Sequence, residues 1–184
     1  MLPIKSVEAD TPIFRKYVID FQRLIPAYIS DAPPSSFEKG GHYMYVLIDV
    51  ENDPTVKVFD LRVTEELRDV QHEINTYTAE NERYPRGFEI APGVFELNAE
   101  LLQYADVKIP SPYNPETELP LVMGSDGTVY VDYRTDLMRL FEDMDTEPPS
   151  DFDLRYLLTE DSLFVPAHSL PYRYEDGDAV FHAE

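Results

Sequence analysis

Residues 119–137 read LPLVMGSDGTVYVDYRTDL, the clearest local signal in the chain. Leu119-Pro120-Leu121-Val122-Met123 is an apolar run of strand length. Ser125-Asp126-Gly127 supplies turn chemistry, with Gly127 free to take a positive φ. Thr128 to Tyr133 is β-branched and aromatic and reads as the returning strand of a hairpin. On that strand Val129, Val131 and Tyr133 fall on one face, and Tyr130, Asp132 and Arg134 on the other.

Outward from the hairpin, the chain alternates further strand pairs with one strong helix. Leu67, Val70, Ile74 and Tyr77 recur at spacings of three and four, with Thr64 ahead of them as a capping residue. This predicts an amphipathic helix over about 65–81, ended before Tyr84-Pro85. The runs 42–50 and 56–63 flank an Asn52-Asp53-Pro54 turn and read as a second hairpin. Pro92-Gly93 separates two short strands, and Asn98 caps a single helical turn. A short helix follows over 136–144, and apolar clusters in the tail predict that it packs on the domain. Near the start, Thr11-Pro12 precedes Ile13, Phe14, Tyr17, Val18, Phe21, Leu24 and Ile25 at helical spacing, which predicts a helix ended by Pro26. The fold class expected is α+β: a mainly antiparallel sheet built from hairpins, with the 65–81 helix packed on a face. The 184 residues fit a single domain, with residues 1–10 as a flexible N-terminal segment.

Charge sets this chain apart. Thirty-six acidic residues face fifteen basic ones, for a net charge of −21. Such a surface repels phosphate-bearing partners, so no nucleic-acid partner is expected. The absence of cysteine excludes a disulfide scaffold, a thiolate nucleophile and a cysteine-ligated zinc site. No apolar run reaches the length of a membrane span. No phosphate loop, dinucleotide fingerprint or nucleophile elbow occurs, and no cofactor is expected.

Three constellations stand as candidate sites. Tyr130, Asp132 and Arg134 offer a phenol, a carboxylate and a guanidinium as a recognition surface. His168, beside Ser169, is the candidate for hydrolytic chemistry if an acid and a nucleophile come near it. Asp143, Asp145, Glu147, Asp151 and Asp153 lie in an acidic loop that could offer oxygen ligands to a metal. That loop has no central glycine, and its twelfth position from Asp143 is Leu154, so a solvated acidic run is the expected state.

The 65–81 helix, Tyr84-Pro85, PGVFEL, IPSPY, the central hairpin and DSLFVPAHSLPY together resemble an uncharacterised, lipoprotein-like family of Gram-positive spore-forming bacteria, over roughly residues 64–172. The resemblance implies an extracytoplasmic protein; Met1 as the true start would imply a cytoplasmic one. The expected function is a non-enzymatic binding or accessory module at the bacterial cell envelope, with a protein partner rather than a small molecule. The alternatives are an acidic cytosolic inhibitor imitating nucleic acid and a hydrolase using His168.

Overall fold

The computed structural model describes residues 2–9, 16–160 and 162–182, the side chains of 6–9 excepted. The chain opens with a four-stranded antiparallel sheet. Its strands β1 (Ile4–Ala9), β2 (Lys16–Ile19), β3 (Tyr43–Ile48) and β4 (Thr55–Asp60) lie in sequence order. β3 is an inner strand, as its two-sided apolar pattern requires, with Tyr43 opposite Asp60 and Ile48 opposite Thr55. Ile4–Ala9 fall within the segment read as a flexible start, and here they pair with β2.

The helix expected over 13–25 does not form in its described part. Lys16–Ile19 is a strand, and Phe21–Arg23 is one 3-10 turn. Tyr17 and Val18 favour the extended state, and Asp20 stops the strand by accepting from the backbone N–H of Gln22 at 3.1 Å. Ile19 and Phe21 are instead spent on a small core with Ala32 and Leu47. Thr11, Pro12, Ile13 and Phe14 lie outside the described residues.

The main helix α1 (Leu61–Asn81) begins four residues before the expected start. The cap is Asp60 rather than Thr64: its carboxylate accepts from the N–H of Arg62 at 3.0 Å. The second strand of the hairpin, expected to run to 63, therefore ends at Asp60. The earlier start adds Val63 to the buried stripe of Leu67, Val70 and Ile74.

A second antiparallel sheet holds β5 (Arg86–Ala91), β6 (Val94–Leu97), β7 (Lys108–Pro110), β8 (Glu118–Gly124) and β9 (Val129–Val131). β8 is its hub, paired with β6, β7 and β9. The central hairpin forms as predicted, with Leu121 opposite Val131 and Met123 opposite Val129. Gly127 is required twice over at its turn: its φ is +83°, and a Cβ there would run into the Tyr84 ring. The returning strand stops at Val131, where the chain bends into α2 (Arg134–Glu142). The tail packs on the domain through α3 (Arg155–Glu160) and the hairpin of β10 (Tyr172–Glu175) and β11 (Asp178–Phe181). The fold is thus α+β, with the antiparallel strands divided among separate sheets rather than gathered in one.

The larger core unites α1, the second sheet and the tail. Leu67, Val70 and Ile74 pack there with Val129 and Val131, and Tyr77 lies partly buried against them. Ile74 is fully buried. Replacing it by Ala removes three carbons from a close-packed site and should cost about 2–5 kcal/mol in a denaturant melt.

Lys16 presents the opposite case. It is fully buried on β2, and its Nζ has no hydrogen-bond partner among the described residues. Burial, and then the charge of Arg155, push its pKa down to about 7. The folded state therefore holds this proton less tightly than the unfolded chain does. The resulting cost to stability is full below pH 7 and fades as the pH rises toward the ordinary lysine value of 10.5. Lys16→Met should raise Tm at and below neutral pH. In paired thermal melts its advantage should shrink steadily as the pH is raised above 7.

Candidate ligand groove beside helix α2

The local structure around α2 starts from a short sequence pattern. Asp132-Tyr133-Arg134 closes on itself: the Asp132 carboxylate accepts from the Arg134 N–H at 3.0 Å and from its guanidinium at 2.7–3.0 Å. Asp132 is buried, and Arg134 lies over the Phe181 ring at 4.6 Å. The hydrogen bonds to Asp132 raise the Arg134 pKa further above its ordinary value. Both residues line a cleft of about 720 Å³ with Met138, Arg139, Glu142 and Asp178. Tyr130 is elsewhere: its ring lies against Gly124, and Asp126 and Thr128 are its polar neighbours. The three candidates therefore do not share a strand face, because the strand ends at Val131 and the chain turns.

The opposite side of α2 faces the rest of the tail. Asp136 is 4% exposed and accepts one hydroxyl from Ser111, at 2.9 Å to Oδ1 and 2.8 Å to Oδ2. Ser111 is fixed in turn by the N–H groups of Tyr113 and Asn114, which donate to its Oγ. Burial raises the pKa of Asp136; the Ser111 bond and the charge of Arg139 oppose that rise. Asp136 lines a cavity of about 360 Å³ walled by Tyr113, Leu140, Leu157, Leu163 and Phe164. A second cavity of about 360 Å³ adjoins it, bounded by Tyr43, Arg62, Glu66, Pro110 and Ser111. Pro112 and Phe164 belong to both, so the two cavities are neighbours with a shared wall, near β3 and α3. Neither Asp136 nor the Pro110–Tyr113 connector stands out as a site in sequence. The signal that could have found them is a carboxylate on the apolar side of a helix, between Tyr133 and Leu137 and Leu140.

His168 sits at φ +50° with its Nε2 2.8 Å from the Thr64 hydroxyl and its ring edge-on to Phe59. The neighbouring Ser169 is buried, and its hydroxyl donates to the Leu170 carbonyl. The Thr64–His168 contact fastens the tail to the first turn of α1. In the acidic loop, Asp153 is engaged with Arg155 at 2.6 Å, and Glu147 hydrogen-bonds Tyr174, which raises the phenol pKa. Asp143, Asp145 and Asp151 are exposed. Among the described residues no three acidic or histidine side chains come together as a metal site would need.

Comparison with known proteins bears on the first sheet. Residues 1–60 fit the family model of the YphF family N-terminal domain. The match spans the four-stranded sheet and ends where β4 passes into α1, outside the 64–172 stretch on which the sequence resemblance rests. No curated protein and no solved structure matches the chain. No helix among the described residues is long and apolar enough to cross a membrane.

Asp136 yields a test of its environment. A carboxyl whose folded pKa is raised binds its proton more tightly in the folded state. It therefore weighs against folding above that pKa, and the weight lifts as the pH falls through it. Relative to Asp136→Asn, the wild type should gain stability on going from neutral pH toward pH about 4, the ordinary carboxylate range. Parallel urea melts of the two proteins would read the difference, with the other carboxylates common to both.

Proposed function

We propose that the protein is a non-enzymatic binding module acting at the bacterial cell envelope, and that it holds an extended, apolar and basic segment of a partner protein. The observation that carries this reading is a groove of two neighbouring cavities that share Pro112 and Phe164, one walled by leucines and Tyr113 around Asp136, the other by Tyr43, Val63 and Ile109 with Asp60, Arg62 and Glu66. Phe164 and Tyr43 meet edge-on at 5.5 Å and give it a stiff centre, while Leu163 stands 51% exposed at its margin. Aromatic and aliphatic walls interspersed with charged groups suit side-chain recognition. The net charge of −21 favours a basic partner and steers its approach. The envelope assignment rests on the family resemblance and on the acidic, cysteine-free composition. The binding role rests on the groove rather than on Tyr130, Asp132 and Arg134, because the last two neutralise each other.

The test is a panning experiment with a displayed peptide library. Wild type should enrich extended apolar-basic peptides, and Leu163→Glu should lose that enrichment while keeping the wild-type circular dichroism spectrum. Equal enrichment by both proteins would sink the groove as the binding surface. A hydrolytic activity on ester, amide or phosphate substrates that disappears in His168→Ala would overturn the non-enzymatic reading.

A further inference from the structure

We infer that the Asp136 end of the groove selects a cationic nitrogen carried on an apolar body. This deepens the reading of the groove as a binding site and rests on it. The first reason is a shortage of hydrogen-bond donors. An ionised carboxylate offers about four acceptor positions. Asp136, although 4% exposed, receives one hydroxyl hydrogen from the described residues, shared between its two oxygens. A buried charge supplied so thinly costs free energy, and a ligand that brings donors recovers it. The second reason is space: the cavity beside Asp136, about 360 Å³, is large enough for a ligand of several heavy atoms.

The walls define the rest of the ligand. Leu140, Leu157 and Phe164 call for an apolar body next to the charged atom. Aromatic rings such as those of Tyr113 and Phe164, which line the cavity, suit a cation more than an anion. Tyr113 gives its hydroxyl hydrogen to the Phe164 carbonyl at 3.4 Å, and burial keeps that phenol neutral, so it adds no second negative charge. An anionic ligand would meet Asp136 in a poorly solvated site, where like charges repel strongly. Arg139 also lines the cavity, but it is exposed, so its repulsion of an incoming cation is screened by solvent. The cation can come from a lysine or arginine of a partner segment or from a free amine. Both present the same chemistry to Asp136.

The experiment uses the full chain and four defined probes, followed by nuclear magnetic resonance at neutral pH. Two are 4-phenylbutylammonium and the neutral 4-phenylbutanol. Two are a blocked Leu-Lys-Leu-Val tetrapeptide and the same peptide with norleucine in place of lysine. The cationic member of each pair should bind at least tenfold tighter and shift the resonances of Leu140, Leu157 and Phe164. Asp136→Asn, which keeps an acceptor for Ser111, should erase that preference. A lysine peptide that outbinds the free ammonium assigns the cation to a protein segment; the reverse order assigns it to a small amine. Should Asp136→Asn fail to fold, acidification of the wild type does the same work, because the preference should fade as Asp136 takes up its proton. The titratable groups facing it are Tyr113 and Tyr133, both held neutral by burial, and Arg139. Equal binding of charged and neutral probes, or a preference indifferent to Asp136→Asn and to acid, overturns the inference and leaves the groove reading standing. Silence of the groove resonances toward all four probes would overturn both.

Discussion

Among the described residues, each of the three α-helices starts from the same ion pair. Asp60-Leu61-Arg62, Asp132-Tyr133-Arg134 and Asp153-Leu154-Arg155 all fold so that the aspartate accepts the arginine's own N–H at 3.0–3.1 Å and grips its guanidinium at 2.6–3.2 Å. The carboxylate satisfies a donor that the helix cannot, and it complements the positive end of the dipole. The arginine two residues on would oppose that dipole by itself, and the charge-assisted pair cancels the conflict. The consequence is geometric. The clamp at Asp132 ends β9 and sets the first turn of α2, which brings Asp136 round to face Ser111 and the groove.

A second constraint holds the tail onto this frame. Tyr172 places its hydroxyl between the N–H of Tyr133 at 2.8 Å and the carbonyl of Val131 at 3.3 Å, and Tyr133 donates to the carbonyl of Ala167 at 2.9 Å. Both rings are fully buried, so every polar atom they carry inward has to be matched. The four-stranded sheet is tied in along its last strand. Val58 donates to the carbonyl of Leu163 and accepts from the N–H of Val165, which covers the free edge of β4. Lys57 reaches past that edge to the carbonyls of Thr159 and Ser162, at the carboxyl end of α3, where a cation is favoured. The groove lies along this seam. Phe164 belongs both to the segment that closes β4 and to the two cavities, so the wall of the site and the join between the sheet and the rest of the protein are one structure.

Sequence reading succeeded where one periodicity held over a long enough run. Leu67, Val70 and Ile74 marked the helix, and Gly127 with its flanking β-branched residues marked the hairpin, because local chemistry there agrees with the tertiary demand. It failed at 16–25, where the same residues satisfy both a helical spacing and a strand composition. Pairing of β2 with β1 and β3 decided between them, and no local window contains those partners. The start of α1 was missed because Thr64 is a good cap by type, whereas Asp60 is the one whose backbone lies in the extended state with its carboxylate over Arg62. The repeated Asp-x-Arg pattern was open to reading and would have placed all three helix starts. The walls of the Asp136 pocket were not, since Ser111, Leu157 and Phe164 come to it from distant parts of the chain.

The excess of acid on this protein is sharpened by how its cations are used. Three of the ten arginines are consumed in helix clamps, and two of the five lysines, Lys16 and Lys57, are buried. Lys5, Arg23 and Lys39 are paired with carboxylates of the first sheet and its loops. Phosphate recognition needs cationic side chains projecting together into solvent. Here much of that supply is engaged by carboxylates and carbonyls, while acidic residues outnumber basic ones thirty-six to fifteen. The charge therefore works as a long-range field that draws cations and turns anions away, and it does so most strongly where apolar walls keep water back. Along the α2 seam those two conditions coincide, because the buried Asp136 stands in a wall of leucine and aromatic side chains.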